Sequence, residues 1–128
     1  MKNTINPFLI IILLTFFTQS HAGLAYITNW NGTWHDNNGG IISIRENDGF
    51  LKITGKDKAS IYTCTCLVTD NNVAKCFGEG VNYLKNFRFL YQSTISGSRT
   101  GKLYETWKAL LKYRTLRGKT TFIKYEPR

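Results

Sequence analysis

The chain has 128 residues, and its 17 Lys and Arg against 8 Asp and Glu give a net charge of +9. A chain of this length is typical of a single domain with one core. Aromatic residues make up 14% of the chain, and turn residues recur at short intervals, which together exclude a disordered chain.

Residues 1–22 are predicted to be a signal peptide. Lys2 supplies the positive start, residues 8–17 are almost wholly apolar, and Ser20-His21-Ala22 places small residues at the −3 and −1 positions of a cleavage site. The apolar run is shorter than the ~20 residues that span a bilayer. We therefore expect this segment to direct export and then to be removed.

Residues 23–128 are predicted to form the mature domain. Gly23, rather than a cysteine, follows the predicted cleavage site, so no lipid anchor is expected. No later segment is long and apolar enough to cross a membrane. The expected protein is soluble and secreted or periplasmic.

Runs of alternating apolar and polar residues, separated by turn signals, predict eight short antiparallel strands. The predicted strands are residues 30–36, 41–47, 50–56, 60–69, 73–80, 87–96, 103–114 and 120–125. Such a meander has two exposed edges unless it closes on itself. The predicted fold is therefore all-β, a small up-and-down barrel of about eight antiparallel strands.

The strongest hairpin signal is Asp48-Gly49 between two alternating runs. A two-residue turn there places Ile44 opposite Ile53 and Glu46 opposite Leu51. One face of the hairpin is then apolar and the other polar, as expected for a sheet with one solvated face.

Three cysteines in an exported chain favour one disulfide and one free thiol. A loop at residues 70–72 places Cys66 opposite Cys76, the preferred pair, and a diagonal Cys64–Cys76 bridge is the alternative. A zinc site formed by the three thiols and His35 is the alternative to a disulfide. Because the spacing is Cys-x-Cys and the compartment oxidising, no metal and no other cofactor is expected.

Two glycines of the same hairpin face large groups, Gly78 opposite Cys64 and Gly80 opposite Tyr62. Such glycines either leave space for a ligand or permit a sharp bend of the strand. Both interpretations remain open from the sequence.

The next hairpin, centred on Arg99, pairs Tyr91 with Trp107 and Ser93 with Glu105. Glu105 then points into the barrel, where a carboxylate must be paired, hydrogen-bonded or protonated. It either fixes the polar end of a ligand or stabilises the barrel near its rim.

Enzymatic activity is not expected. His35 is the only histidine after residue 22, and no Gly-x-Ser-x-Gly motif occurs. The first hypothesis is a binding protein that takes a small, partly apolar molecule in the mouth of the barrel. The candidate ligand-binding residues are Trp34, Tyr62, Tyr91, Ser93, Glu105 and Trp107. The alternative is that these aromatic side chains merely fill the interior.

Two other hypotheses concern the surface. Residues 85–128 carry eleven basic and two acidic side chains, which favours binding to an anionic envelope polymer, although such charge is also typical of solubility alone. The candidate residues are Arg88, Lys108, Lys112, Arg114, Arg117 and Lys119. A protein-binding inhibitor acting through this surface or through an arm at residues 23–29 is the other hypothesis. No specific nucleic-acid partner is expected.

Gly32-Thr33-Trp34 on the first strand resembles the Gly-x-Trp signature of the calycins, and the chain is most similar locally to the avidins. Asp48-Gly49, and Trp107-Lys108 followed by Gly118, Phe122 and Lys124, extend the similarity. The resemblance implies a barrel in which Lys124 packs across Trp34. Asp36 and Gly40 stand where avidins carry the Asn and Ser that bind biotin, so biotin binding is not implied.

Overall fold

The computed structural model describes residues 28–70 and 72–126. The predicted signal peptide and residues 23–27 of the predicted arm lie outside the described residues. Within the described ranges the chain forms eight strands, and it contains no helix long and apolar enough to cross a membrane. The strands are β1 (Gly32–His35), β2 (Ile41–Asn47), β3 (Phe50–Lys56), β4 (Ser60–Asp70), β5 (Val73–Asn82), β6 (Phe87–Gly97), β7 (Lys102–Leu110) and β8 (Thr115–Lys124).

Each strand pairs antiparallel with the next along the chain, and β8 returns to β1 to close the barrel. The closing register places Trp34 opposite Lys124, and the Tyr125 amide donates to the Thr33 carbonyl at 2.7 Å. Closure leaves no free sheet edge on these strands, which removes the site where another chain would pair. The predicted all-β up-and-down barrel is therefore confirmed.

The β2–β3 hairpin has the predicted register, with Ile44 opposite Ile53 and Glu46 opposite Leu51. Asp48 and Gly49 have φ angles of 51° and 80°, the left-handed conformation that a two-residue turn of this type requires. Local sequence is thus sufficient to define this hairpin.

The buried side chains divide the interior into two halves. Aliphatic residues and two tryptophans fill the end that contains the β2–β3 turn, whereas aromatic residues line the end that contains the β1–β2 and β3–β4 loops. We call these the closed end and the open end. The core residues of the closed end include Trp30, Trp34, Ile44, Leu51, Ile95 and Leu103.

The predicted β6–β7 register was wrong by two residues. Tyr91 lies opposite Ala109, and Ser93 lies opposite Trp107. The loop is centred on Thr100 instead of Arg99, because Gly101 takes a φ of 77°, which suits the last position of a three-residue hairpin loop. A shift of two residues keeps every side chain on its predicted face.

The boundary between β7 and β8 also differs from the prediction. β7 ends at Leu110 and β8 begins at Thr115, so residues 115–119, which were predicted to lie between the two strands, belong to β8. The turn forms earlier, where the Leu111 amide donates to the Arg114 carbonyl at 2.8 Å. Gly118 is an interior position of β8, directly opposite Trp107.

Candidate ligand site at the open end of the barrel

A cavity of about 380 Å³ opens between the β1–β2, β3–β4 and β7–β8 loops and extends into the barrel. Aromatic rings and one buried carboxylate are its characteristic side chains. Its lining includes Tyr62, Phe87, Phe89, Tyr91, Glu105, Trp107, Ala109, Leu111, Leu116, Thr120 and Phe122, with Asp36, Asp57, Lys58 and Lys119 among the remaining residues.

Three aromatic rings stand side by side along one wall. The ring centroids of Tyr62 and Tyr91 are 4.8 Å apart, and those of Tyr91 and Trp107 are 6.3 Å apart with the rings nearly parallel. The Trp107 indole N–H donates to the Thr120 hydroxyl at 3.1 Å. The wall thus presents apolar ring surface held by packing and one hydrogen bond.

Inward-facing glycines give these rings their space. A β-carbon at Gly118 would collide with the Trp107 ring, and one at Gly55 would collide with the Tyr62 ring. At Gly80 it would meet the Phe89 ring. Gly78 differs, because a β-carbon there would meet the β4 backbone at Thr63. Gly80 therefore accommodates aromatic rings of the protein itself, and Gly78 permits close approach of two strands.

Glu105 is the buried ionisable group within this aromatic surface. It is 5% exposed, and its Oε2 accepts a hydrogen bond from the Tyr91 hydroxyl at 2.7 Å. Oε1 makes no hydrogen bond with the described residues and is not completely enclosed. Glu105 lies opposite Ile95 and Thr120, and not opposite Ser93 as predicted.

Burial raises the pKa of Glu105, while hydrogen bonding from Tyr91 opposes that rise. The Ser93 hydroxyl also lowers this pKa, although its oxygen is buried without a hydrogen-bond partner of ordinary geometry among the described residues. Ser93 therefore acts on Glu105 as a nearby dipole and not as a hydrogen-bonded partner. The carboxylate is consequently stabilised on one oxygen and retains an unused acceptor on the other.

Two further carboxylates lie at the rim. Asp36 accepts backbone hydrogen bonds from Asn38 and Gly40, both at 2.7 Å, and Asp57 accepts from Ala59 and Ser60. These bonds fix the β1–β2 and β3–β4 loops. Their negative charges also extend inward, since both contribute to raising the pKa of Tyr62, after burial and Glu105.

The structure brings together four of the six predicted ligand-binding residues, namely Tyr62, Tyr91, Glu105 and Trp107. Trp34 is not among the residues that line the cavity; it belongs to the closed end and is 2% exposed. Ser93 lies deeper in the wall and does not line the cavity either. The strand periodicity placed both side chains inward, but it carried no information about depth along the barrel.

At the closed end the Trp34 indole donates to the Trp30 carbonyl at 3.0 Å. The Lys124 ammonium lies 5.2 Å from the centroid of the Trp34 ring and donates to the Asn29 carbonyl at 3.3 Å. Gly32 leaves room for the stem of this lysine. The packing of Lys124 across Trp34, implied by the calycin resemblance, is thus present.

The cysteine prediction is confirmed, since Cys66 and Cys76 form a disulfide and Cys64 is free and buried. The alternative Cys64–Cys76 bridge does not form. Burial and then the nearby Glu105 raise the pKa of Cys64 to about 12. Its thiol is therefore protonated at neutral pH and is a poor nucleophile.

The predicted basic residues do not form one surface. Lys108, Arg117 and Lys119 line a common groove on the outer wall. Arg88 borders a different hollow, next to Leu90 and Leu110. The remaining two, Lys112 and Arg114, lie in the exposed β7–β8 turn.

Sequence reasoning missed several cavity residues that come from the ends of strands or from loops, including Phe87, Phe89, Asp36, Asp57, Leu111 and Leu116. Alternation on β6 predicted that Phe87 and Phe89 point inward, and this was the sequence signal that could have identified them as cavity residues. The loop residues have no such signal, because only closure of the barrel brings the loops of the open end together.

Comparisons with protein-family models, with curated proteins and with solved structures found no significant match.

Proposed function

We propose that this protein is an exported, non-enzymatic binding protein whose open-end cavity holds a small, partly apolar molecule bearing a protonated amine. The observation that carries the proposal is the buried Glu105 carboxylate among the aromatic rings of the cavity.

The size and lining of the cavity suit a small organic ligand. Its volume of about 380 Å³ is within the range of about 300–1,000 Å³ found for ligand pockets, which are mostly apolar with a few placed polar groups. The polar groups here are the unused Glu105 acceptor and the Tyr62 hydroxyl, which makes no hydrogen bond with any described residue. Both are available to a ligand.

The electrostatics favour a cation over an anion. Glu105 is buried and has no cationic partner among the described residues, so an ammonium group would supply one. Aromatic faces also attract cations, and the rings of Tyr91 and Trp107 are beside the carboxylate. Asp36 and Asp57 add negative charge at the rim, whereas Lys58 and Lys119, the latter on the outer face of β8, are exposed and hence screened by solvent.

The experiment uses three probes with the same body and different charge: 3-phenylpropylamine, 3-phenylpropan-1-ol and 3-phenylpropionate. Binding is followed by tryptophan fluorescence, because Trp107 lines the cavity while Trp30 and Trp34 are buried at the closed end. We expect the amine to bind more tightly than the alcohol, and the acid to bind least.

Glu105→Gln keeps the shape of the side chain and an acceptor for Tyr91, and we expect it to weaken amine binding by about tenfold, or ~1.4 kcal/mol, with little effect on the alcohol. Glu79→Gln is the matched control, since Glu79 is exposed on the outer wall. Gly118→Ala should weaken all three probes, because the new methyl group displaces Trp107 toward the cavity.

The outcomes separate the two parts of the proposal. Binding of all three probes with equal affinity would leave the cavity as a ligand site but contradict the choice of an amine. No binding of any probe would contradict a ligand site in the cavity and favour aromatic residues that only fill the barrel.

A further inference from the structure

A second concavity lies on the outside of the barrel, across strands β5 to β8, and has a volume of about 690 Å³. Four of its lining side chains are basic, and no Asp or Glu lines it. The basic residues are Lys75, Lys108, Arg117 and Lys119. We call this feature the basic groove.

The strand register concentrates these charges. Lys108 lies directly opposite Arg117 on the neighbouring strand, and like charges in that relation destabilise a sheet. Lys119 follows Arg117 by two residues, on the same face of β8. None of these side chains forms an ion pair or hydrogen bond within the described residues, so their mutual repulsion is uncompensated by the protein.

The groove also offers neutral hydrogen-bonding groups between the charges. Thr94 lies opposite Lys75, Gln92 opposite Lys108, and Thr106 opposite Lys119. The side chains of these three residues make no hydrogen bond with other described residues. Phe77, 54% exposed, adds one flat apolar face at the margin. Two neutral side chains thus separate Lys75 from Lys119 in one cross-strand row, and Gln92 lies between Phe77 and the Lys108–Arg117 pair in the next row.

From this arrangement we infer that the basic groove binds an extended polysaccharide bearing phosphate or sulfate groups. The anionic groups satisfy the unpaired cations, the sugar hydroxyls meet Gln92, Thr94 and Thr106, and one sugar face packs on Phe77. Lys75 on β5 and Lys119 on β8 are three strand spacings apart, about 15 Å at about 4.8 Å each. That span fits a chain with several charged groups better than a single anion.

Two other anionic partners fit the groove less well. A membrane surface is flat, whereas the charges converge in a concavity. Single-stranded nucleic acids are held by several aromatic rings on which successive bases stack, and Phe77 is the one exposed ring among the residues that line the groove. Both remain as comparison arms of the experiment.

The test measures binding of the protein to fluorescein-labelled dextran sulfate at several salt concentrations. Unmodified dextran, phosphatidylserine vesicles and a single-stranded oligonucleotide are the comparison ligands. We expect dextran sulfate to bind most tightly and its affinity to fall as salt rises. Lys108→Gln/Arg117→Gln should weaken it by about tenfold or more and make the salt dependence shallower, because two cation contacts are lost.

The matched control is Arg45→Gln/Lys52→Gln. These two residues form the same kind of directly opposed pair between β2 and β3, but they do not line the basic groove. The control should bind dextran sulfate like the wild-type protein. Lys75→Gln removes one groove charge away from the Lys108–Arg117 pair, at a residue that does not line the open-end cavity, and it serves as a second variant should the first fold poorly.

Three outcomes would overturn the inference. Equal losses in the control and groove variants would mean that net charge alone governs binding. Equal or tighter binding of vesicles or of the oligonucleotide would reject a polysaccharide as the preferred partner. Failure of the wild-type protein to bind dextran sulfate would reject the site, and none of these results depends on the cavity at the open end.

Discussion

Glu105 is the buried carboxyl group of the described residues, and its ionisation links the stability of the barrel to pH. Burial raises its pKa in the folded protein, while the unfolded chain has an ordinary value of about 4.3. Between these two values the folded state keeps a proton that the unfolded state has released. The free energy of unfolding should therefore fall as pH rises through this window.

Glu105→Gln removes this titration, so its free energy of unfolding should decline less than that of the wild-type protein over the same window. Urea unfolding at a series of pH values measures the difference. The groups that face Glu105 are Tyr91, Tyr62 and Cys64, with Asp36 nearby. Glu79→Gln should keep the wild-type pH profile, and an unchanged profile in Glu105→Gln would contradict the prediction.

For single residues, the sequence predicted which side chains are buried or bonded better than it predicted how deep along the barrel they lie. Burial of Glu105 and pairing of Cys66 with Cys76 followed from alternation and hairpin register, which are local properties. The separation of Trp34 from the cavity did not, because depth depends on how eight strands are staggered around the barrel. Two inward side chains can thus belong to different ends of one interior.

Among the elements, the hairpins differ in how well their loops define them. Asp48-Gly49 strongly favours one type of two-residue turn, and the β2–β3 register is as predicted. The loop between β6 and β7 has no such signal. Its composition is compatible with a hairpin centred on Arg99 or on Thr100, and the positive φ of Gly101 fixes the centre at Thr100. The β7–β8 connection was placed too late in the sequence, at residues 115–119. Gly118, in that stretch, lies within β8 and gives the Trp107 ring its space.

Repulsion between two directly opposed cations is expected to destabilise the β7–β8 pair. Lys108→Gln removes the repulsion from Arg117 directly opposite, and we expect the free energy of unfolding to increase by about 0.2–1 kcal/mol. Lys56→Gln is a suitable control, because Lys56 lies opposite Ile41 and Ile61. Chemical denaturation at low salt gives the largest difference, and high salt should reduce it. A decrease in stability would show that Lys108 contributes mainly through packing of its stem.

At the scale of the whole molecule, the barrel is a closed aliphatic end joined to an open aromatic end. The eight-strand count, the alternation and the need to close the sheet edges were sufficient to predict the closed barrel, but not its division into these two ends. The cavity rim was beyond prediction, since it combines loops that are far apart in the sequence. The basic groove likewise depends on β8 starting at Thr115, which places Arg117 and Lys119 within the wall.

The Cys66–Cys76 disulfide links β4 to β5 within this closed sheet, with a sequence separation of 10. Closing so short a loop restricts the unfolded chain and stabilises the protein by about 2–3 kcal/mol. Cys66→Ala/Cys76→Ala should therefore lower the free energy of unfolding by about that amount or more, since the alanines also leave unfilled volume. The barrel should still close, because strand pairing and the core extend well beyond the bridge.

Denaturation of this variant and of the wild-type protein, with and without reductant, measures the effect. Reductant should destabilise the wild-type protein and leave the variant unchanged, which separates the bridge from the packing change. Cys64→Ala, which keeps the bridge, should retain sensitivity to reductant. The bridge joins residues of the closed end and does not line the open-end cavity. Binding of 3-phenylpropylamine in that cavity should therefore persist in the variant. Loss of binding at a temperature where the variant is folded would mean that the two ends of the barrel are coupled.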